Sequence, residues 1–129
     1  MARLLLVDDD PAGVELRRLI LTRLGYVCAV ALDREQAMRL LLETKPELIV
    51  LDLRLPALDD GLALIREIHA ASPAGILVLS GFPGDLHGRP EAALVHGVLS
   101  KPVRPEKLVL QISELLTSRG PEPGTSPER

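Results

Sequence analysis

Short apolar runs recur along this chain, and they are continuous where a half-exposed strand would alternate. They occupy residues 4–7, 27–31, 48–51, 76–79 and, most briefly, 98–99. A strand with one face in water alternates apolar and polar residues. A run of four to eight without alternation needs cover on both faces, as in a parallel sheet. The run at 98–99 is too short to stand alone and is read as a strand from its place in the series.

Helical signals fill the gaps. After the first run, Asp10-Pro11 reads as an N-cap followed by Pro in the first turn. Val14, Leu16, Leu19, Ile20 and Leu24 then recur at roughly helical spacing, and Gly25 supplies a stop. After the second run, Asp33-Arg34-Glu35-Gln36 reads as a capping box, with Ala37, Leu40 and Leu41 as the stripe and Lys45-Pro46 as the end. After the third, residues 61–71 carry Leu64, Ile65 and Ile68 and end at Ser72-Pro73. The last helix opens at Pro105 and runs to about Ser118, with Leu108, Ile112, Leu115 and Leu116 on one side. The connection at 81–97 differs, because Gly81, Pro83, Gly84, Gly88, Pro90 and Gly97 crowd into it. Gly and Pro disfavour a helix interior by about 1 and 3 kcal/mol relative to Ala. Only a short or irregular helix, within 91–96, is expected there.

Alternating strands and helices predict an α/β fold with a parallel sheet and right-handed crossovers. At 129 residues the chain fits one domain of roughly 100–200 residues. The domain is expected over 2–118. The Pro/Gly/Ser-rich residues 119–129 read as a flexible tail.

Several classes are disfavoured. The net charge of −3 argues against a phosphate-neutralising nucleic-acid binder, and Tyr26 and Phe82, with no Trp, make no stacking platform. No run approaches the about 20 residues of a membrane-spanning helix. The short first run, followed at once by acid, does not resemble a secretory signal. The single Cys28 suits a reducing cytoplasm and reads as a strand residue. His69, His87 and His96 read as surface or structural side chains.

The chemistry gathers where the runs stop. In open parallel sheets ligands bind at the carboxyl ends of the strands. Here those ends carry Asp8-Asp9-Asp10, Asp52, Ser80 and Ser100-Lys101-Pro102. Taken singly, each has a plain structural reading: Asp10 as a cap, Ser80 as a turn residue, Lys101 as a solvated loop lysine. Together they describe a site. Clustered carboxylates repel unless a cation joins them, and Mg²⁺ takes oxygen ligands of this kind. A carboxylate could attack phosphorus while metal and lysine neutralise charge and a hydroxyl holds one oxygen.

With these residues in order, the sequence resembles the receiver domain of two-component response regulators over about residues 2–118. Four stretches carry the resemblance: Leu5-Leu6-Val7-Asp8-Asp9-Asp10-Pro11, Leu48-Ile49-Val50-Leu51-Asp52-Leu53-Arg54-Leu55-Pro56, Ile76-Leu77-Val78-Leu79-Ser80-Gly81 and Val98-Leu99-Ser100-Lys101-Pro102. The resemblance implies a flavodoxin-like doubly wound sheet of five parallel strands in the order 2-1-3-4-5. It makes Asp52 the phosphoacceptor, Asp9 the direct Mg²⁺ ligand and Asp8 a second acidic residue acting through water. It adds the backbone carbonyl of Arg54 as a metal ligand, Ser80 as the switch hydroxyl and Lys101 as the site lysine. It also implies a cis peptide before Pro102.

Three departures from the family stand out. Pro56-Ala57-Leu58-Asp59-Asp60-Gly61 has one residue more than the usual loop, Val98 stands where an aromatic is usual, and the fourth helix is shortened. The resemblance implies a sensor histidine kinase or histidine phosphotransfer protein as phosphoryl donor. With no output domain in view, a stand-alone receiver is expected. It would switch the binding of a downstream protein, or pass the group on, with no direct nucleic-acid or membrane contact. A homodimer stays open. Two rival readings compete with that of a receiver. A haloacid-dehalogenase-type phosphatase would use Asp8-x-Asp10, but Ala12 stands where that motif has Thr or Val. A pseudo-receiver, binding partners without phosphorylation, rests on Val98 and the irregular connection.

Overall fold

The apolar runs form one five-stranded parallel sheet in the computed structural model of the chain, which describes residues 1–82 and 84–118. The strands are β1 (Arg3–Val7), β2 (Val27–Ala31), β3 (Leu48–Asp52), β4 (Gly75–Ser80) and β5 (Gly97–Ser100). Their order is β2-β1-β3-β4-β5, as the resemblance implied. The expected tail at 119–129 lies outside the described residues.

Four helices cover the sheet: α1 (Pro11–Arg23), α2 (Arg34–Thr44), α3 (Leu58–Ala71) and α4 (Pro105–Ser118). Successive strand side chains point to opposite faces, so each unbroken run feeds two cores. Leu5, Val7, Ile49, Leu51, Ile76 and Val78 join residues of α2 and α3. Leu4, Leu6, Val50, Leu77, Leu79 and Leu99 join Val14 and Leu21 of α1 and Leu108, Ile112 and Leu115 of α4. A fully buried aliphatic side chain stabilises by about 1.5–3 kcal/mol, against about 1 for a helix cap. The two aliphatic layers therefore hold the fold. The helices are amphipathic additions to them, and none is long and apolar enough to cross a membrane among the described residues.

Burial on both faces is complete only in the middle of the sheet. Residues 4–7, 48–51 and 75–80 are buried, whereas the edge strands β2 and β5 expose Val27 and Val98. An edge strand has a neighbour on one side only, so the helices shield it less.

Local signals hold with instructive shifts. Asp33 accepts the backbone N–H of Gln36 at 2.8 Å, while Gln36 reaches the N–H of Leu32 and leaves that of the cap residue. Gly25 stops α1 with φ of +99°. Asp10 occupies the N-cap position, but its side chain makes no cap hydrogen bond; its backbone N–H donates instead to Asp8 Oδ1 at 3.0 Å. The expected stripe of α1 is also corrected. Val14 and Leu21 are buried, while Leu16, Leu19 and Leu24 are about half exposed. Helix α3 starts at Leu58, earlier than Gly61. The Asp60 carboxylate accepts the Ala57 N–H at 3.3 Å and so caps the added turn.

Among its described residues the β4–β5 connection has no regular α-helix. Pro90–Leu94 forms a 3₁₀ helix, in keeping with its Gly and Pro content. It is tied down by an ion pair from Arg66 of α3 to Glu91 and by the Ile76 N–H donating to His96 Nδ1 at 3.1 Å. The hydrogen bond from its own backbone and the pairing with Arg66 hold the Glu91 carboxyl below its ordinary value of 4.5. A lowered carboxylate favours the fold above the ordinary value, and this is lost as pH falls through the lowered one. Protection factors of the amides of residues 91–94 are therefore expected to fall below about pH 4.5 more steeply in the wild type than in Glu91→Gln. Equal pH profiles would count against the anchor.

Candidate functional site

Every predicted site residue stands at the carboxyl edge of the sheet, and strand register sets the strand ends that carry them side by side. Val7 pairs with Leu51, Asp52 with Leu79 and Ser80 with Ser100. Asp8 and Asp9 thus leave β1 beside Asp52, and Lys101 enters from β5. One carboxylate oxygen from each of Asp8, Asp9 and Asp52 lies within 4.8 Å of the others.

Cations answer this concentration of charge. Lys101 Nζ donates to Asp52 Oδ2 at 2.9 Å and lies 3.9 Å from Asp8 Oδ2. Arg17 of α1 reaches the same Asp8 oxygen. The peptide bond between Lys101 and Pro102 is cis, as the resemblance implied, and so is that between Leu55 and Pro56. Asp52 is largely enclosed, and burial pushes its carboxyl up; the hydrogen bond from Lys101 opposes this, and the charge of Asp8 adds to it. Three clustered carboxylates exceed the two side-chain cations beside them. Hard oxygen donors with surplus negative charge suit a divalent ion such as Mg²⁺.

Ser80 ends β4 with its side chain engaged locally. Its hydroxyl donates to the Phe82 carbonyl at 3.0 Å and accepts the Phe82 N–H at 3.1 Å. Arg54 follows Asp52 by two residues, and its N–H donates to Asp52 Oδ1 at 3.3 Å. Its guanidinium turns away, donating twice to Asp85 at 3.0 Å and lying 3.9 Å from the centroid of the Phe82 ring. Asp10 stays at the start of α1. Cys28 sits on β2, its thiol pushed up by burial, and has no part in the cluster.

Sequence reasoning missed Arg17, Phe82 and Asp85. Arg17 was detectable as a charge three residues after Val14 and four before Leu21, on an otherwise apolar face. Phe82 is the chain's only Phe, two residues beyond a site hydroxyl. Nothing in the sequence marks Asp85. Val98 is exposed and supplies no aromatic, so the aromatic beside the site comes from the loop after β4.

Known proteins resemble this chain in sequence and in fold. The chain is 32% identical over 124 residues to the DNA-binding response regulator MtrA of Mycolicibacterium smegmatis, covering 94% of this chain and 53% of that protein. It spans only about half the length of that relative. The signal receiver domain of a response regulator from Bermanella marisrubri matches with a TM-score of 0.79 and 31% identity, covering 88% of this chain and 97% of that one. Response regulator TrrA of Thermotoga maritima, solved in complex with Mg²⁺-BeF, matches with a TM-score of 0.79 and 25% identity, covering 89% and 99%. The family model for the response regulator receiver domain matches residues 4–113, from within β1 to within α4. The strand order, the acidic edge and this match agree, and the chain belongs to the receiver family, the phosphoacceptor modules that work with histidine kinases in two-component signalling.

Proposed function

We propose that Asp52 accepts a phosphoryl group from a phosphohistidine of a sensor kinase or phosphotransfer protein, or from a small acyl phosphate. The carrying observation is the cluster of Asp8, Asp9 and Asp52 with Lys101 Nζ set against both Asp52 and Asp8. An Asp52 oxygen forms a bond to phosphorus as the bond to the donor nitrogen or oxygen breaks, and the donor leaves with the electron pair. Asp9 directly, Asp8 through water and the Arg54 carbonyl would hold Mg²⁺ together with Asp52. Bound there, Mg²⁺ supplies positive charge to the transferring oxygens. Lys101 moves from the Asp52 carboxylate to a phosphoryl oxygen. Ser80 gives up Phe82 and donates to another phosphoryl oxygen. The loop after β4, which holds Phe82 and Asp85, then changes arrangement and is read by a downstream protein.

The same chemistry serves a stand-alone receiver, as the sequence reading expects, and a receiver portion of a longer protein such as MtrA. The domain is read as 2–118 with a tail at 119–129. The reading places it in the cytoplasm, with a protein partner and no direct contact to nucleic acid or membrane. Self-association stays a separate question.

Intact-mass spectrometry after incubation with acetyl phosphate tests the proposal. One phosphoryl unit is expected with Mg²⁺, and its loss is expected when a chelator removes the metal. An adduct that survives the chelator would break the link between acidic cluster and chemistry. No adduct from acetyl phosphate or from a phosphorylated histidine donor would favour a module that binds partners unphosphorylated.

A further inference from the structure

Arg17 gives the acidic cluster a cation of its own. It stands on the buried face of α1 between Val14 and Leu21, and its guanidinium meets Asp8 Oδ2. The Asp8 side chain is only 3% exposed and that of Arg17 is 20% exposed. Water therefore screens this contact little. Asp8 Oδ1 is already engaged by the Asp10 N–H. The oxygen facing Arg17 is also the one nearest Lys101, so added positive charge must contend with both cations.

The surroundings leave the guanidinium somewhere to go. A cavity of about 460 Å³ opens beside Asp8 between α1 and the start of α4, with Gly13, Arg17, Ile20, Val103 and Leu108 in its wall. A Cβ on Gly13 would stand 2.8 Å from Asp10 Oδ2 and 3.8 Å from Arg17 Nη1. A methyl at Gly13 would thus crowd the Asp10 carboxylate on the side where Arg17 Nη1 lies. Asp10 makes no cap bond with its side chain and has acceptor oxygens to offer.

We propose that Arg17 is a built-in counter-ion of Asp8 that a divalent cation must displace, and that Asp10 receives the displaced guanidinium. The metal-free site is thereby kept neutralised, and Mg²⁺ affinity is set lower than the carboxylates alone would give. The inference rests on reading Asp8, Asp9 and Asp52 as the Mg²⁺ site.

Mg²⁺ titrations followed by ¹H–¹⁵N NMR at fixed ionic strength, with thermal unfolding in chelator and in excess Mg²⁺, test it. Arg17→Met is expected to bind Mg²⁺ about tenfold more tightly, within the usual span of intramolecular coupling. It should melt lower in chelator and recover in Mg²⁺. Arg17→Gln, which keeps a donor and loses the charge, should also tighten binding and serves if the Met variant folds poorly. Asp10→Asn should weaken Mg²⁺ binding in the wild type and less so in the Arg17→Met background, since its effect passes through the guanidinium. Equal or weaker Mg²⁺ affinity in folded Arg17 variants would overturn the proposal and leave the metal site standing. Absence of Mg²⁺ binding in every protein, wild type included, would overturn the metal site as well.

Discussion

Asp52→Asn is expected to abolish the phosphoryl adduct and also to make the metal-free fold harder to unfold. The first effect follows because an amide oxygen is too weak a nucleophile to displace the donor. The second follows from the electrostatics of the resting site. Burial pushes the Asp52 carboxyl up, with the charge of Asp8 acting the same way and Lys101 acting against both. The fold therefore tolerates the charged carboxylate less well than water does, and the neutral amide relieves it. The amide oxygen can still accept from Lys101. A gain in stability at neutral pH in chelator is expected, read from urea unfolding. Excess Mg²⁺ should narrow the gap, because only the wild type keeps the full set of carboxylates. A wild type more stable than the variant in chelator would refute the electrostatic argument, and a surviving adduct would refute the assignment of the acceptor.

Gly61→Ala is expected to cost about 3 kcal/mol of stability, the upper end for overpacking. A Cβ at Gly61 would stand 1.7 Å from the carbonyl oxygen of Leu53 and 2.6 Å from its carbonyl carbon. Both obstacles are backbone, so no rotamer change can relieve them. Leu53 is fully buried, and its N–H is fixed to the Leu79 carbonyl at 3.0 Å. The first turns of α3 would have to back away, and any yielding of Leu53 would shift Asp52 beside it. Gly84, with open space around its Cβ position, provides the control, and Gly84→Ala should be nearly neutral. Urea unfolding of both variants decides the matter; similar midpoints would show that the helix contact relaxes at little cost.

The legible parts of this protein are those written in residues close along the chain. Unbroken aliphatic runs locate the strands, and the residue after each run locates the chemistry, because a parallel sheet sends all its carboxyl ends to one edge. The crowding of Gly and Pro at 81–97 likewise foretells a connection whose described residues form only a 3₁₀ helix. The phase of α1 was illegible because leucines stand on several sides of it. Leu16 and Leu19 look as buriable as Leu21, and only packing against the sheet and α4 selects Val14 and Leu21. With the phase unknown, Arg17 could not be aimed at Asp8. The strand order itself came from the resemblance, since local pattern does not say which strands pair. The ties of Arg54 to Asp85 and of Arg66 to Glu91 join residues far apart in sequence and exist only once the β4–β5 connection folds over α3.

Under the proposed function, the double tether of Ser80 to Phe82 has a quantitative consequence for background signalling. A hydrogen bond of this kind is worth about 1 kcal/mol net, so the pair holds the hydroxyl against Phe82 by about 2 kcal/mol. At 1.4 kcal/mol per factor of ten, roughly one unmodified molecule in 30 has the hydroxyl released from Phe82 at any moment. A partner that recognises only the released form would meet unmodified protein with its affinity reduced by about that factor. In the proposed switch those two bonds, both to one residue's backbone, would set the leak before any phosphoryl group arrives.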